Sequence, residues 1–327
     1  MKLNGKLTAL VIAACVSLSG AYALDGTDFI TNYDSYSQSI SSGLDDFAGA
    51  LAVAVPQAAT QQNVWADAYI GKLFPSVPFH LGGGFNVGVT HIDTSGLAKA
   101  AKTLDISGIK DDYYFPVFTA DLRIGGIFLP FDFDIAVMKT GTLSTDKFGC
   151  DLDVSLFTIG ADFRYALLEG GLVLPKLSVG LGYFYNEGSF GAGSSNAETN
   201  IDYKVHTMYA QAQLSKKILF LTPFVGLRGL VSKYNNTWDW SLKGSALTSA
   251  NSANDALVAL GQTARKTSDN GEKKSENFDF NAIQPQIYAG LGVNFFVLQA
   301  TLSVTADLRH ITDDGLWSGA FSLRVKI

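Results

Sequence analysis

Three short patterns in this 327-residue chain carry side chains of the kind used in acyl transfer. Ser144-x-x-Lys147 offers a nucleophile with a lysine base, and Lys139-Thr140-Gly141 and Ser268-Asp269-Asn270 are the motifs that accompany such a serine. Their order argues against chemistry. In enzymes that use all three, the serine motif comes first and Lys-Thr-Gly last; here Lys-Thr-Gly precedes the serine by a few residues. Such short patterns recur by accident in a chain rich in Ser, Thr and Lys, so no enzyme activity is expected. The four histidines, at 80, 91, 206 and 310, show no metal-ligand spacing, and no metal or cofactor is expected. The glycines of "HLGGGFNVGV" lie inside an alternating segment with no helix after them. They read as small residues on a crowded wall, not as a phosphate loop.

A different repeat is more informative. Thr119-Ala-Asp-Leu-Arg123, Gly160-Ala-Asp-Phe-Arg164 and Thr305-Ala-Asp-Leu-Arg309 are near copies. Two residues apart on a strand, Asp and Arg share one face while Ala and Leu or Phe take the other. The repeats place Asp121, Arg123, Asp162, Arg164, Asp307 and Arg309 on the polar face. The same parity adds Asp67, Asp132, Asp134, Arg228, Arg324 and Lys326, six acids and six bases in all. Opposite charges on neighbouring strands can hold a wall together; alternatively they line a solute path, where a balanced set predicts weak ion preference.

The elements that carry these residues alternate strictly. "PFDFDIAVMK" sets Phe131, Phe133, Ile135 and Val137 against Asp132, Asp134, Ala136 and Met138, and "GAFSLRVKI" does the same to the last residue, Ile327. Eleven such segments occur, at roughly 63–72, 79–92, 115–125, 130–139, 153–166, 175–186, 202–215, 218–233, 280–294, 298–310 and 316–327. Most are long enough for a tilted strand to cross a bilayer, which takes about 9–11 residues. Short connections alternate with long polar ones at 93–114, 140–152, 187–201 and 234–279; only 311–315 departs from the rule. The long 234–279 connection reads as a solvated surface lid or a ligand-binding loop. This is the pattern of an all-β, antiparallel transmembrane β-barrel. Only closure satisfies every backbone group of a strand-built protein in lipid, and it gives the final strand a partner. About twelve strands are expected, within a range of 10–14. The missing one is "GALAVAV" at 49–55, unless Ile40, Leu44, Phe47, Leu51 and Val55 form a helix stopped by Pro56 that threads or plugs the lumen.

Residues 1–23 have a basic start, an apolar run and Ala21-Tyr22-Ala23, a secretory signal with cleavage before Leu24. In a rival reading Cys15 is lipidated. Domains follow as signal (1–23), N-terminal segment (24–60) and barrel (61–327). Removing Lys2 and Lys6 leaves 22 basic residues against 30 acidic ones, which argues against nucleic-acid binding. Cys150 then stands alone, so no intramolecular disulfide forms.

The stretches "QQNVWADAYIGKLFPSVPFH" and "GADFRYALLEGGLVLPKLSVGLGYFY", with the C-terminal strand, resemble outer-membrane barrels of the spirochaete type. A helix ahead of the first clear strand also resembles, more distantly, FadL-like channels. The resemblance implies a bacterial outer-membrane location, with lipid and the barrel-assembly machinery as partners. It also implies a small solute or lipid substrate and passive uptake of small or hydrophobic solutes. The alternatives are a surface adhesin or antigen using the barrel as a loop scaffold, and a periplasmic ligand-binding barrel.

Overall fold

The computed structural model describes residues 24–73, 80–106, 108–139, 143–144, 151–312 and 315–327. The signal-peptide reading, Cys15 and Cys150 lie outside them. Two helices open the described chain, α1 (Gly26–Thr31) and α2 (Tyr33–Thr60). A barrel follows: β1 (Leu81–Asp93), helix α3 (Ser95–Thr103), β2 (Asp112–Gly125), β3 (Phe131–Lys139), β4 (Leu143–Ser144), β5 (Asp151–Glu169) and β6 (Lys176–Gly193). It continues through β7 (Ala197–Ser215), β8 (Leu221–Leu242), helix α4 (Gly244–Ala259), β9 (Ser268–Ser275), β10 (Gln284–Phe295), β11 (Leu298–Asp307) and β12 (Trp317–Lys326).

All strand pairs are antiparallel. Ten strands close the ring, in the order β1-β2-β3-β5-β6-β7-β8-β10-β11-β12 and back to β1. The seam pairs Gly82 with Lys326 and runs up to Thr90 with Ser318. Ile327 and Leu81 exchange backbone hydrogen bonds at its foot. The C-terminal strand thus ends on a partner.

Parity sets the faces as the sequence requires. On β3, Asp132, Asp134, Ala136 and Met138 are buried, while Phe133, Ile135 and Val137 are exposed. Phe85, Leu122, Phe163, Leu181, Leu227 and Leu302 continue this apolar belt around the ring. A continuous exposed belt has no place on a water-soluble monomer and matches a lipid-facing wall. The ten residues of β12 rise about 3.3 Å each and, at a tilt of about 40°, span about 25 Å, the height of such a band. β5 to β8 have 18 to 22 residues and overshoot the band at the long-loop end.

Several sequence expectations are corrected. Twelve strands are present among the described residues, but only ten close the ring, the lower end of the expected 10–14, with β4 and β9 outside it. Residues 49–55 belong to α2; Ile40, Leu44, Phe47, Leu51 and Val55 form one buried stripe. The helix does not stop at Pro56 but continues to Thr60, because Pro removes only one hydrogen bond and the lumen encloses the last turn. Residues 63–72 are not a strand: their backbone finds side chains in place of a neighbouring ladder. Nor are the long connections plain loops. Residues 187–201 are mostly β6 and β7, and 234–279 holds the top of β8, α4 and β9. An open sheet of β5 to β9 therefore stands above the band, with α2 packed inside it and α1, α3 and α4 around the helix.

The helices meet through glycines. A Cβ on Gly43 would lie 2.4 Å from the carbonyl oxygen of Gly96, and one on Gly26 would overlap the carbonyl oxygen of Ala246. Phe29 of α1 also packs at a tilt on Trp240 of β8, with the ring centres 5.6 Å apart.

Candidate functional site: a threaded segment held by the barrel wall

Ten strands about 4.8 Å apart, tilted by about 40°, close into a backbone cylinder about 20 Å across. Side chains leave roughly 10 Å inside, the width of one polypeptide. That space is filled by the chain itself. Residues 57–70 are buried throughout.

The path runs in one direction. Asn236 Nδ2, high on β8, donates to the carbonyl of Ala48, and Gln284 Nε2 donates to that of Val53. Gln286 Nε2, lower on the wall, reaches Gln57 Oε1, and Arg228 donates to the carbonyl of Thr60 at 3.0 Å. Ala68 N donates to Ser215 Oγ at the foot of β7, and Lys72 pairs with Glu169 at the foot of β5, 2.8 Å apart. The chain enters at the long-loop end and leaves at the short-turn end, where β1 begins.

Between Thr60 and Tyr69 the backbone is gripped by side chains. The carbonyl of Gln61 accepts from Asn86, that of Gln62 from Arg324, that of Asn63 from Arg164, and that of Val64 from Arg324 at 2.7 Å. Trp65 accepts from Gln213, Asp67 and Ala68 from Arg123, and Tyr69 from Lys176. With Thr60, nine of ten successive carbonyls are satisfied by the wall. An unpartnered buried carbonyl costs about 1–3 kcal/mol, so this network is what permits an extended segment without a ladder.

Each guanidinium that holds the segment is itself held by a carboxylate or amide. Arg123 is bidentate on Asp132, at 2.9 and 2.8 Å. Arg164 pairs with Asp162 and donates to Gln213 Oε1, and Arg228 donates to Gln211 Oε1. Arg324 binds Asp121 across two strand spacings, reaching over β1 at Gly84. Only glycine fits there: a Cβ on Gly84 would lie 2.7 Å from the Cα of Arg324. Gly82 makes the same allowance for Trp65, and Gly292 for Ala66. Trp65 is the core of the constriction. Its ring lies between Arg324 and Arg123, 4.4 and 5.4 Å from the ring centre, and its Nε1 donates to Asp134. Below it, Asp67 is bound by Lys326, Lys176 and Gln299.

Ten of the twelve expected charged residues occupy the inner wall: Asp121, Arg123, Asp132, Asp134, Asp162, Arg164, Arg228, Arg324 and Lys326 around the segment, and Asp307 at the top of β11. Two expectations need correction. Asp67 sits on the threaded segment and not on the wall, because residues 63–72 are not a strand. Arg309 is not on the wall either: Asp307, buried at the top of β11, accepts from the backbone of Arg309 and His310, and the turn it makes carries Arg309 past the strand end into solvent. The Asp-x-Arg pattern pairs within itself only at Asp162–Arg164. The serine and lysine motifs do not converge: Ser144 on β4 and Ser268 on β9 stand at opposite edges of the upper sheet, and 140–142 and 145–150 lie outside the described residues. The histidines are dispersed on Lys72, Asp112, Tyr183 and Asp307. Sequence reasoning missed Trp65, Gln211, Gln213 and Lys176; the run "QQNVWADAYI", without a charge apart from Asp67, was the available signal.

Above the constriction a cavity of about 330 Å³ opens at the long-loop end, beside α2. Asp46, Val53, Ile92, Asp93, Lys273 and His310 line it. At the tip of the upper sheet Glu198 is held below the usual carboxylate range by the hydrogen bond from Lys243.

No protein-family model and no curated protein matches the sequence. Among solved structures the chain is similar to the translocator domain of the autotransporter NalP from Neisseria meningitidis. Identity is 10%, over 78% of this chain and 91% of that one, with a TM-score of 0.37. It is also similar to the Ralstonia pickettii toluene transporter TbuX, at 7% identity, 76% and 89% coverage and a TM-score of 0.23. The monoaromatic hydrocarbon channel CymD matches at 7% identity, 82% and 96% coverage and a TM-score of 0.20. These neighbours are outer-membrane β-barrels, and what they share with this chain is the barrel alone.

Proposed function

We propose that this protein is an outer-membrane β-barrel channel for small or hydrophobic solutes, closed at rest by its own residues 60–70. The carrying observation is the grip of wall side chains on nine of the ten successive backbone carbonyls from Thr60 to Tyr69. Because those bonds are side chain to backbone, the segment can move without breaking any barrel ladder; an extra strand could not. The cavity beside α2, with acidic, basic and apolar walls, is the outer vestibule of this path. A second reading, a surface scaffold, draws on the height of β5 to β8 above the lipid band and on the helices they carry.

Single-channel recording of the refolded full chain tests the first reading. Brief openings from a closed baseline are expected. Lys72, just below the segment, pairs with Glu169 on the wall, so a zero-length carbodiimide crosslink between them should tie the segment down and suppress openings, and Lys72→Gln, which cannot form it, should keep opening after the same treatment. A steady open current that the crosslink leaves unchanged would sink the plug. Silence in both proteins, with a normal barrel, would favour the scaffold.

A further inference from the structure

Ten strands return a chain to the side on which it began. The segment inside the lumen adds an eleventh crossing, so the residues before it lie on the opposite side from Ile327. From this geometry we infer that residues 24–56 are displayed on the outer face of the cell, although they precede the entire barrel in sequence. The inference rests on the outer-membrane reading above.

Three observations fix the direction. The turns 126–130, 170–175, 216–220 and 296–297 are short and lie at one end, together with Ile327 and the foot of β1. In bacterial barrels the short turns face the periplasm and the long connections face outward. The opposite end carries α3, α4, β9 and the overshooting halves of β5 to β8. Finally, the partners of the incoming chain descend from Asn236 through Gln286 and Arg228 to Ser215 as its residue number rises from 48 to 68. There is no second way to lay this segment in the barrel with the same bonds.

The displayed unit is folded. α1 lies on α4 and α2 on α3, with Phe29, Ile40, Leu44, Phe47 and Trp240 in one apolar cluster. Its exposed side is polar: Asp25, Thr27, Asp28, Thr31, Asp34 and Ser35 face solvent. A surface of this kind suits water and not lipid. The wall's grip also explains how the display is kept. The segment below is anchored through its backbone carbonyls, so the tether does not depend on the side chains of the displayed unit, whose own packing still requires Gly26 and Gly43.

Single cysteines in a Cys150→Ser chain read this directly, with a maleimide on a polymer too large for outer-membrane pores. Thr27→Cys reports α1, Gln262→Cys the α4–β9 connection and Leu172→Cys a short turn; all three positions are exposed. Intact cells should label Thr27→Cys and Gln262→Cys, and Leu172→Cys only after permeabilisation. Thr27→Cys behaving like Leu172→Cys while Gln262→Cys still labels would overturn the inference and leave the outer-membrane reading standing. The same holds if Thr27→Cys stays unlabelled in both states. If Gln262→Cys and Leu172→Cys exchange behaviour, the end assignment itself is wrong and both readings fall.

Discussion

Trp65→Ala tests the closure with least damage to the barrel, because Trp65 belongs to the segment and every ladder bond is elsewhere. The indole is fully buried, donates to Asp134 Oδ2 at 3.1 Å and lies between two guanidinium groups. Truncating a buried Trp costs about 3–5 kcal/mol, lost transfer energy and cavity included. That loss falls on the seated state. Once the segment has moved out, Trp65 is in water in both proteins. With 1.4 kcal/mol per factor of ten, the unseated fraction should rise between about a hundredfold and a few thousandfold. In planar bilayers this is a matching rise in open probability. Arg123–Asp132 and Arg324–Asp121 remain paired in the variant, so the shift of the folded barrel on heated gels should be unchanged. A folded Trp65→Ala barrel with wild-type open probability would show that the segment does not close the path. Loss of the folded band would show that the segment is a structural core and not a gate.

Other substitutions separate the faces and the charges. Ile135→Arg puts a charge into lipid and should cost about 2–4 kcal/mol, read as poor membrane insertion. Ala136→Arg, one residue on, enters a packed site against Ala59, Phe184, Tyr209 and Leu230 instead of open water. It should therefore also destabilise, but by overpacking of about 1–3 kcal/mol or more, with insertion retained. Arg309→Glu should alter neither the heat shift nor the reversal potential, because Arg309 is in solvent. Arg123→Glu places like charges beside Asp132 in a buried site and should abolish the folded band, since breaking such a pair costs about 3–5 kcal/mol. Gly84→Ala drives a Cβ into the seam at Leu323 and Arg324 and should lower the melting temperature of the barrel, measured by the same gel shift over a temperature series.

Alternation of period two is a local property, and it carried much of the reading. It placed Ile135 and Leu302 outward and Asp132 and Arg324 inward, and it set β12 against a partner strand, because on a strand the face follows from parity alone. Parity does not say what an extended segment bonds to. Residues 63–72 alternate as well as several strands do, yet their carbonyls go to Arg123, Arg164, Gln213 and Arg324, which come together only when the ring closes. Partner choice among the charges was hidden for the same reason. Asp121 is two residues from Arg123 but binds Arg324, 203 residues away, because closure brings β12 beside β1 and Gly84 leaves room to reach across. The helical stripe of 40–55 was visible in the sequence. That it points down a lumen, and carries the chain from the long-loop end to the short-turn end, was decided by the tertiary fold.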